Sequence, residues 1–169
     1  DPEAEPLVQL WLPESIVADA LPGGPVPDTI VVLDVGTGSG VVCLEIDEST
    51  QHVAPIRDKL QAYRRAIGGR TGWHVLLVVP SMARAGWLRR VAHGCDLGGL
   101  SVLVVAADEL HRHGAAAELT TVLGSARAPT LRGLLADGRP RRSATPVATG
   151  AWLELLGSGG GEERGALLV

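Results

Sequence analysis

The chain has 169 residues, 15 Lys and Arg against 19 Asp and Glu, a net charge of −4 and a sequence pI near 5.7. This length fits one domain with a sizeable core, which Val, Leu and Ala must fill because the chain contains no phenylalanine. The acidic balance argues against nucleic-acid binding by bulk charge, since phosphate contacts need clustered cations.

Cysteine usage and hydropathy favour a soluble protein of a reducing compartment. Cys43 and Cys95 lie far apart and no CxxC pair occurs, so neither a zinc site nor a disulfide framework is predicted. No apolar run approaches the ~20 residues of a membrane span, and the acidic start is not a signal peptide. We therefore expect a cytoplasmic protein without membrane contact. Because the chain starts with Asp, we also expect a fragment or a processed product.

The first elements precede a linker of proline and glycine at residues 22–25. Residues 1–6 are acidic, and Leu7 to Ala20 predicts an apolar helix, either continuous or broken at Pro13. This helix would carry Trp11 and Glu14. The simplest interpretation of Glu14 is an exposed helix acid.

A β-hairpin is predicted next. Two β-branched apolar runs, Thr29 to Asp34 and Val41 to Asp47, flank the glycine-rich residues 36–40, which is typical of two antiparallel strands joined by a turn. Because strand side chains alternate, Glu45 and Asp47 share one face of the second strand.

Three carboxylates are expected to meet on that face. A turn centred near Thr37 and Gly38 would set Asp28 opposite Asp47 and diagonal to Glu45, within ~5–8 Å. Like charges so close raise one another's pKa, and a divalent cation with oxygen ligands is the usual remedy. The pattern therefore predicts a Mg²⁺ site with Asp28, Glu45 and Asp47 as ligands.

A helix follows the hairpin. Apolar residues recur at helical spacing over residues 54–67, with proline in the first turn and two glycines after the end. Lys59 and Tyr63 share one side of this helix. Lys59 is the only lysine beside fourteen arginines, and its amine is expected to reach the carboxylates, where it could orient a water or stabilise an oxyanion.

A different function is suggested by the segment VLDVGTGSG, residues 32–40, which resembles the glycine-rich first motif of S-adenosylmethionine-dependent methyltransferases. That motif needs a helix after the glycines and an acid ~20 residues further on. Only residues 41–44 separate Gly40 from Glu45. The hairpin is therefore the preferred interpretation, and the methyltransferase is the less favoured alternative.

The later elements alternate between strand and helix. Residues 73–80 and 100–106 predict buried strands, residues 82–92 predict a helix capped by Ser81, and Asp108 is expected to cap a short helical turn. A further helix is predicted around residues 115–123. The order favours an α/β fold, a mixed sheet with a β-hairpin and flanking helices.

The composition divides the chain in two. Residues 1–125 are expected to form the α/β domain. Residues 126–169 are rich in Arg, Pro, Gly and Ala and end in GSGGGEERGALLV, which is typical of a low-complexity extension that is partly disordered.

The order and spacing of several short motifs resemble those of a known protein family. Pro27-Asp28, the hairpin, Glu45-x-Asp47 and a lysine on the next helix resemble the PD-(D/E)xK nuclease-like core, in a variant with the lysine on the helix. More narrowly, LEIDEST, KLQAY and WHVLLVVPS are similar to the actinobacterial replication-relaxation family, where an E-x-D-x-x-T strand end precedes a K-x-x-x-Y helix. The similarity extends from Trp11 to Leu110 and implies a restriction-endonuclease-like fold.

The resemblance also implies roles for individual residues. In the nuclease superfamily the residues matching Asp28 and Glu45 bind Mg²⁺, and the lysine matching Lys59 assists the attacking water. A glutamate before the hairpin often completes the site, and Glu14 is the match. Asp47 departs from the commonest pattern, which has its lysine there, and is placed as a supporting acid.

Two functions follow from the resemblance. One is metal-dependent cleavage of plasmid DNA in replication or transfer. The other is a catalytically silent module that positions DNA or a partner protein, its acids serving as structure. Family members usually carry an upstream winged-helix domain, and the resemblance implies such a domain or a partner protein acting with this one. Any contact with DNA is expected at two local clusters of arginine. One comprises Arg64, Arg65 and Arg70, and the other, on the next helix, comprises Arg84, Arg89 and Arg90.

Overall fold

The computed structural model describes residues 7–21, 23–34, 39–70, 72–114, 117, 120–121 and 130. The strands are β1 (Leu7–Pro13), β2 (Thr29–Asp34), β3 (Ser39–Ile46), β4 (Trp73–Val79), β5 (Ser101–Ala106) and β6 (Thr120–Thr121). The helices are α1 (Glu14–Ala20), α2 (Val53–Ile67), α3 (Met82–His93) and α4 (Ala107–His113). None of the helices in these ranges is long and apolar enough to cross a membrane.

The strands form one mixed sheet in sequence order, from β1 to β6. β1, β2 and β3 pair antiparallel, β3, β4 and β5 pair parallel, and β6 returns antiparallel to β5. Helices α2 and α3 are the crossovers that parallel pairing requires. The α/β class, the mixed sheet, the hairpin and the flanking helices predicted from the sequence are confirmed.

The main core lies between one face of the sheet and helices α1, α2 and α3. Helix α2 buries every third or fourth residue on this face, namely Ile56, Leu60, Tyr63 and Ile67. Helix α3 buries Leu88 and Val91 against the same cluster. All three helices therefore lie on one face, and α2 spans the sheet where β3 ends.

The N-terminal helix prediction is wrong for residues 7–12, which form the edge strand β1 paired with β2. Leu12 is buried in the main core, whereas Trp11 points to the other face and is 58% exposed. The leucine spacing in LVQLWL fits both the helical period and the strand period, and short apolar runs do not distinguish a strand from a helix. Pro13 is tolerated because it ends an edge strand, and α1 begins directly after it.

Two predictions near the end of β5 are also corrected. Thr120 and Thr121, placed in a helix by the sequence pattern, pair with Val104 and Leu103 as strand β6. The N-cap of α4 is Ala106 rather than Asp108, which lies in the first turn. Apart from Ala117, Thr120 and Thr121, the predicted 115–123 helix lies outside the described residues, and so does the 126–169 extension except for Thr130.

The hairpin register differs by two residues from the expected one. Asp34 pairs with Ser39 and Thr29 with Leu44, which places Asp28 level with Glu45 rather than opposite Asp47. Only four residues join the paired ends, so no helix follows the glycines before the next strand. The arrangement needed for a methyltransferase cofactor loop is therefore absent from this hairpin.

The second face of the sheet is covered less evenly. A smaller apolar cluster includes Leu76 and Leu103, with Leu110 of α4 packed against it, while Ile46 at the end of β3 is 61% exposed. On this face His74 of β4 lies directly opposite Ser101 of β5, with Nδ1 and Oγ 2.9 Å apart. Burial lowers the pKa of His74 from 6.5 to about 4.

This lowered pKa predicts a loss of stability in mild acid that depends on His74. A depressed folded-state pKa gives stability that is present above pH 6.5 and lost as the pH falls towards 4, because the unfolded chain binds the proton more readily. Between pH 7 and pH 4.5 the wild type should lose about 2 kcal/mol more unfolding free energy than His74→Gln. Urea unfolding at both pH values measures the difference.

The control is His111→Gln, which removes an exposed histidine from α4. Its unfolding free energy should fall by the same amount as that of the wild type between pH 7 and pH 4.5. Parallel pH profiles for the wild type and His74→Gln would contradict the assignment.

Candidate functional site

Glu45 is the central residue of the candidate site. It lies one residue before the end of β3, on the face that packs against α2, and it is level with Leu77 of β4. Only 3% of it is exposed, and Glu45 is the one buried charged residue among those described. A carboxylate buried in this way needs protein partners or an ion, since its isolated charge would cost several kcal/mol.

Two residues of α2 provide those partners. Lys59 Nζ donates to Glu45 Oε2, and the Tyr63 hydroxyl donates to Oε1 at 2.5 Å. Lys59 and Tyr63 are one helical turn apart, so the same side of α2 presents both donors to the strand end. The sequence prediction that the Lys59 amine reaches the acid is confirmed for Glu45. Lys59 remains 32% exposed at its side chain, and its ammonium has further N–H bonds to offer.

Burial controls the proton affinity of this group. Burial raises the pKa of the Glu45 carboxyl above its ordinary value, and the hydrogen bonds from Lys59 and Tyr63 oppose that rise. The pKa of the Tyr63 hydroxyl is also raised, by burial first and then by the negative charge of Glu45. The raised pKa keeps the Tyr63 hydroxyl protonated, as a hydrogen-bond donor to Glu45.

Asp47 belongs to a second, separate ion pair. Arg84 Nε donates to Asp47 Oδ2 at 2.6 Å and Nη2 donates to Oδ1 at 3.0 Å, a bidentate geometry that is among the strongest for this pair. Both side chains are largely buried. Arg84 also donates to the Gln51 carbonyl at 3.0 Å, and its guanidinium stacks 4.0 Å above the Trp87 ring. This pair fastens the β3–α2 loop to α3.

The loop itself is shaped around Asp47. The backbone N–H of Ser49 donates to Asp47 Oδ1 at 3.0 Å, and Ser49 has φ 64, a conformation uncommon outside glycine. Asp47 Oδ1 thus accepts from both Ser49 and Arg84. The side chain acts as the organiser of the turn that leads into α2.

Asp28 is used to hold the end of the hairpin. Its Oδ2 accepts from the backbone N–H of Ile46 at 2.6 Å, and its charge contributes to the raised pKa of Glu45. Asp28 is exposed. The expected proximity of Asp28 to Glu45 is therefore found, but through the shifted register and with a backbone donor between them.

A small cavity opens beside these groups. Its volume is about 30 Å³, and Glu45, Asp47 and Lys59 line its polar side while Ile56, Leu60 and Leu88 line its apolar side. Since one water needs roughly 10–15 Å³, the cavity holds about two waters. Asp28 and Glu14 are not among its lining residues, and Glu14 is exposed in the first turn of α1.

The donor set does not fit Mg²⁺ in this arrangement. Both Glu45 oxygens accept from α2, both Asp47 oxygens accept from Arg84, and one Asp28 oxygen accepts from Ile46. Mg²⁺ needs several carboxylate oxygens converging in near-octahedral geometry, and here each acid is turned towards its own protein donors. Within the described ranges, no group of three or more His, Cys, Asp and Glu lies close enough to hold a metal ion.

Sequence reasoning missed Arg84. It assigned this residue to a basic cluster on the next helix, whereas the structure uses it against Asp47. The available signal was Ser81, which the structure confirms as the N-cap of α3, accepting from Arg84 N at 3.3 Å. That cap fixes Arg84 in the first helical turn after β4, adjacent to the end of β3.

In comparisons with known proteins, no family model, no curated protein and no solved structure matches this chain.

Breaking the Asp47–Arg84 pair should destabilise the fold. Arg84→Gln leaves Asp47 largely buried without its cation, and we expect a loss of about 3 kcal/mol of unfolding free energy. Chemical denaturation measures this loss. The matched control is Arg112→Gln on α4, where the pairs to Asp108 and Glu109 are solvent-exposed and no measurable change is expected. Equal stabilities for the two variants would refute the structural role of Arg84.

Proposed function

We propose that this chain is a DNA-acting domain of the replication-relaxation type, with a restriction-endonuclease-like fold, whose nuclease-like acids stabilise the structure rather than cleave. The observation that carries this proposal is that each of the two Glu45 oxygens already accepts a protein hydrogen bond, from Lys59 and from Tyr63. A buried acid whose two oxygens are both held by protein donors contributes to folding, and a metal ion would compete with those donors.

The support for a DNA-acting domain is the order of motifs along the fold. The LEIDEST strand end, the KLQAY helix and the WHVLLVVPS strand fall on β3, α2 and β4 with the following cap. Lys59 meets Glu45 across this unit. The proposed role is to position plasmid DNA during replication or transfer, together with a winged-helix domain or partner protein that binds sequence.

Metal-dependent cleavage is the second candidate, and the contact of Lys59 with Glu45 favours it. In that function the amine would assist a water at the strand end. Magnesium bound by both acids would compete with the bidentate pair that Asp47 forms with Arg84 and with the buried hydrogen bond that Glu45 accepts from Tyr63.

Supercoiled plasmid separates the two candidates. We expect no nicking with or without Mn²⁺, by the wild-type chain or by Lys59→Met, while both retard plasmid equally in a gel. Lys59→Met purified in the same way is the control for a contaminating nuclease. Nicking that needs Mn²⁺ and disappears in Lys59→Met would establish cleavage and overturn the silent role.

A double-mutant cycle tests whether Lys59 and Glu45 are a structural pair. Lys59→Met removes the cation from a buried carboxylate and should cost about 3 kcal/mol of unfolding free energy. Adding Glu45→Gln to Lys59→Met should recover most of that loss, because the amide carries no charge. Thermal or urea unfolding of the four proteins gives the coupling. Additive effects would show that the pair does not support the fold.

A further inference from the structure

Charge is divided sharply along the sequence. Residues 1–52 contain ten Asp and Glu and no Lys or Arg, whereas residues 53–93 contain eight Lys and Arg and a single acid, Asp58. The second segment comprises α2, β4 and α3. The net charge of −4 for the whole chain therefore conceals a basic helical layer beside an acidic hairpin.

Part of the basic charge is already used within the protein. Lys59 binds Glu45, Arg84 binds Asp47, and Arg64 Nη1 lies 3.0 Å from Asp96 Oδ2. Five exposed arginines remain: Arg70, whose guanidinium lies 5.2 Å from the Trp73 ring centroid, and four on the helices, Arg57 and Arg65 on α2 and Arg89 and Arg90 on α3. None of the four forms an ion pair with a carboxylate among the described residues.

Arg57 connects the outer sides of the two helices. The Arg57 guanidinium reaches the end of α3, since a β-carbon at Gly94 would lie 3.0 Å from its Nη2. Arg90 turns back along α3, with Nη1 3.8 Å from the corresponding position at Gly86. Because the buried residues of both helices face the sheet, these guanidinium groups lie on the outer side.

The chemistry of this surface fits a chain of phosphates. Guanidinium groups form bidentate hydrogen bonds with phosphate oxygens, and several of them together release condensed counterions. On the described parts of α2 and α3, the exposed large apolar residues are Val53 and Met82, each at the first position of its helix. The rest of the surface lacks the apolar anchors that a protein partner usually needs.

The aromatic residues favour a duplex over a single strand. Single-strand binding relies on bases stacking on exposed rings, but within residues 53–93 Arg84 covers Trp87, and Tyr63 and Trp73 are buried.

We propose that the outer surface of α2 and α3, defined by Arg57, Arg65, Arg89 and Arg90, binds the sugar–phosphate backbone of duplex DNA. This inference rests on the proposed DNA-acting function and deepens it, because it places the DNA on the helical layer and away from the Glu45 cavity. Arg65, Arg89 and Arg90 act as separate phosphate contacts, and Arg57 bridges the helices.

Fluorescence anisotropy with a mixed-sequence duplex, titrated at several salt concentrations, tests the surface. The full 169-residue chain is compared with Arg65→Gln, Arg89→Gln and Arg90→Gln, singly and together. Each single variant should reduce the slope of log K against log salt by about 1, and the triple variant by about 3. Arg112→Gln on α4 is the matched control and should leave affinity and slope unchanged.

The outcomes distinguish the inference from the function on which it rests. Duplex binding by the wild type with an unchanged slope in the triple variant would overturn the surface while leaving the DNA-acting function intact. No binding of the wild type to duplex would overturn both.

Stronger binding to the single strand than to the duplex would overturn the choice of ligand. Self-association of the wild type that the triple variant loses, without duplex binding, would assign the surface to the acidic half of a second copy instead. Circular dichroism of each variant verifies folding.

Discussion

The burial of Glu45 against Lys59 and Tyr63 determines how the rest of the site is arranged. A carboxylate at 3% exposure cannot remain charged without partners, and both of its partners come from the side of α2 that packs on β3. The requirement therefore fixes the rotation of α2 about its axis as well as its distance from the strand. The same rotation turns Arg57 and Arg65 to solvent. One buried acid thus connects the core to the outer surface of the helical layer.

The three acids of the hairpin region have different partners, and this difference explains why they do not form a common cluster. Glu45 accepts from side chains of α2, Asp47 accepts from Arg84 of α3, and Asp28 accepts from the backbone of Ile46. Like charges at close distance are tolerated when each has its own donors. A metal ion is the alternative solution to the same electrostatic problem. In this fold each of the three acids has its own protein donor.

Much of the fold and part of the site follow from the sequence, and the failures have physical causes. The helical period of α2, the buried runs of β4 and β5 and the Ser81 cap are local signals, and the structure agrees with them. Edge strand β1 was missed because six residues of mixed spacing fit either period. The hairpin register was missed by two residues because a glycine-rich segment leaves the turn position undetermined. The Asp47–Arg84 pair joins residues 37 apart, and no local pattern reports such a contact.

The Arg84 side chain links the loop around Asp47 to helix α3, which carries part of the proposed DNA surface. It lies in the first turn of α3, holds Asp47 and the Gln51 carbonyl, and covers Trp87. A phosphate near α3 would compete with Asp47 for this guanidinium, because both are oxyanions that suit its fork. Asp47 keeps the advantage while the pair is buried, since the bidentate bonds form away from water. DNA bound through the exposed arginines would therefore leave the Asp47–Arg84 pair intact. This behaviour is expected of a module that positions DNA rather than one that cleaves it.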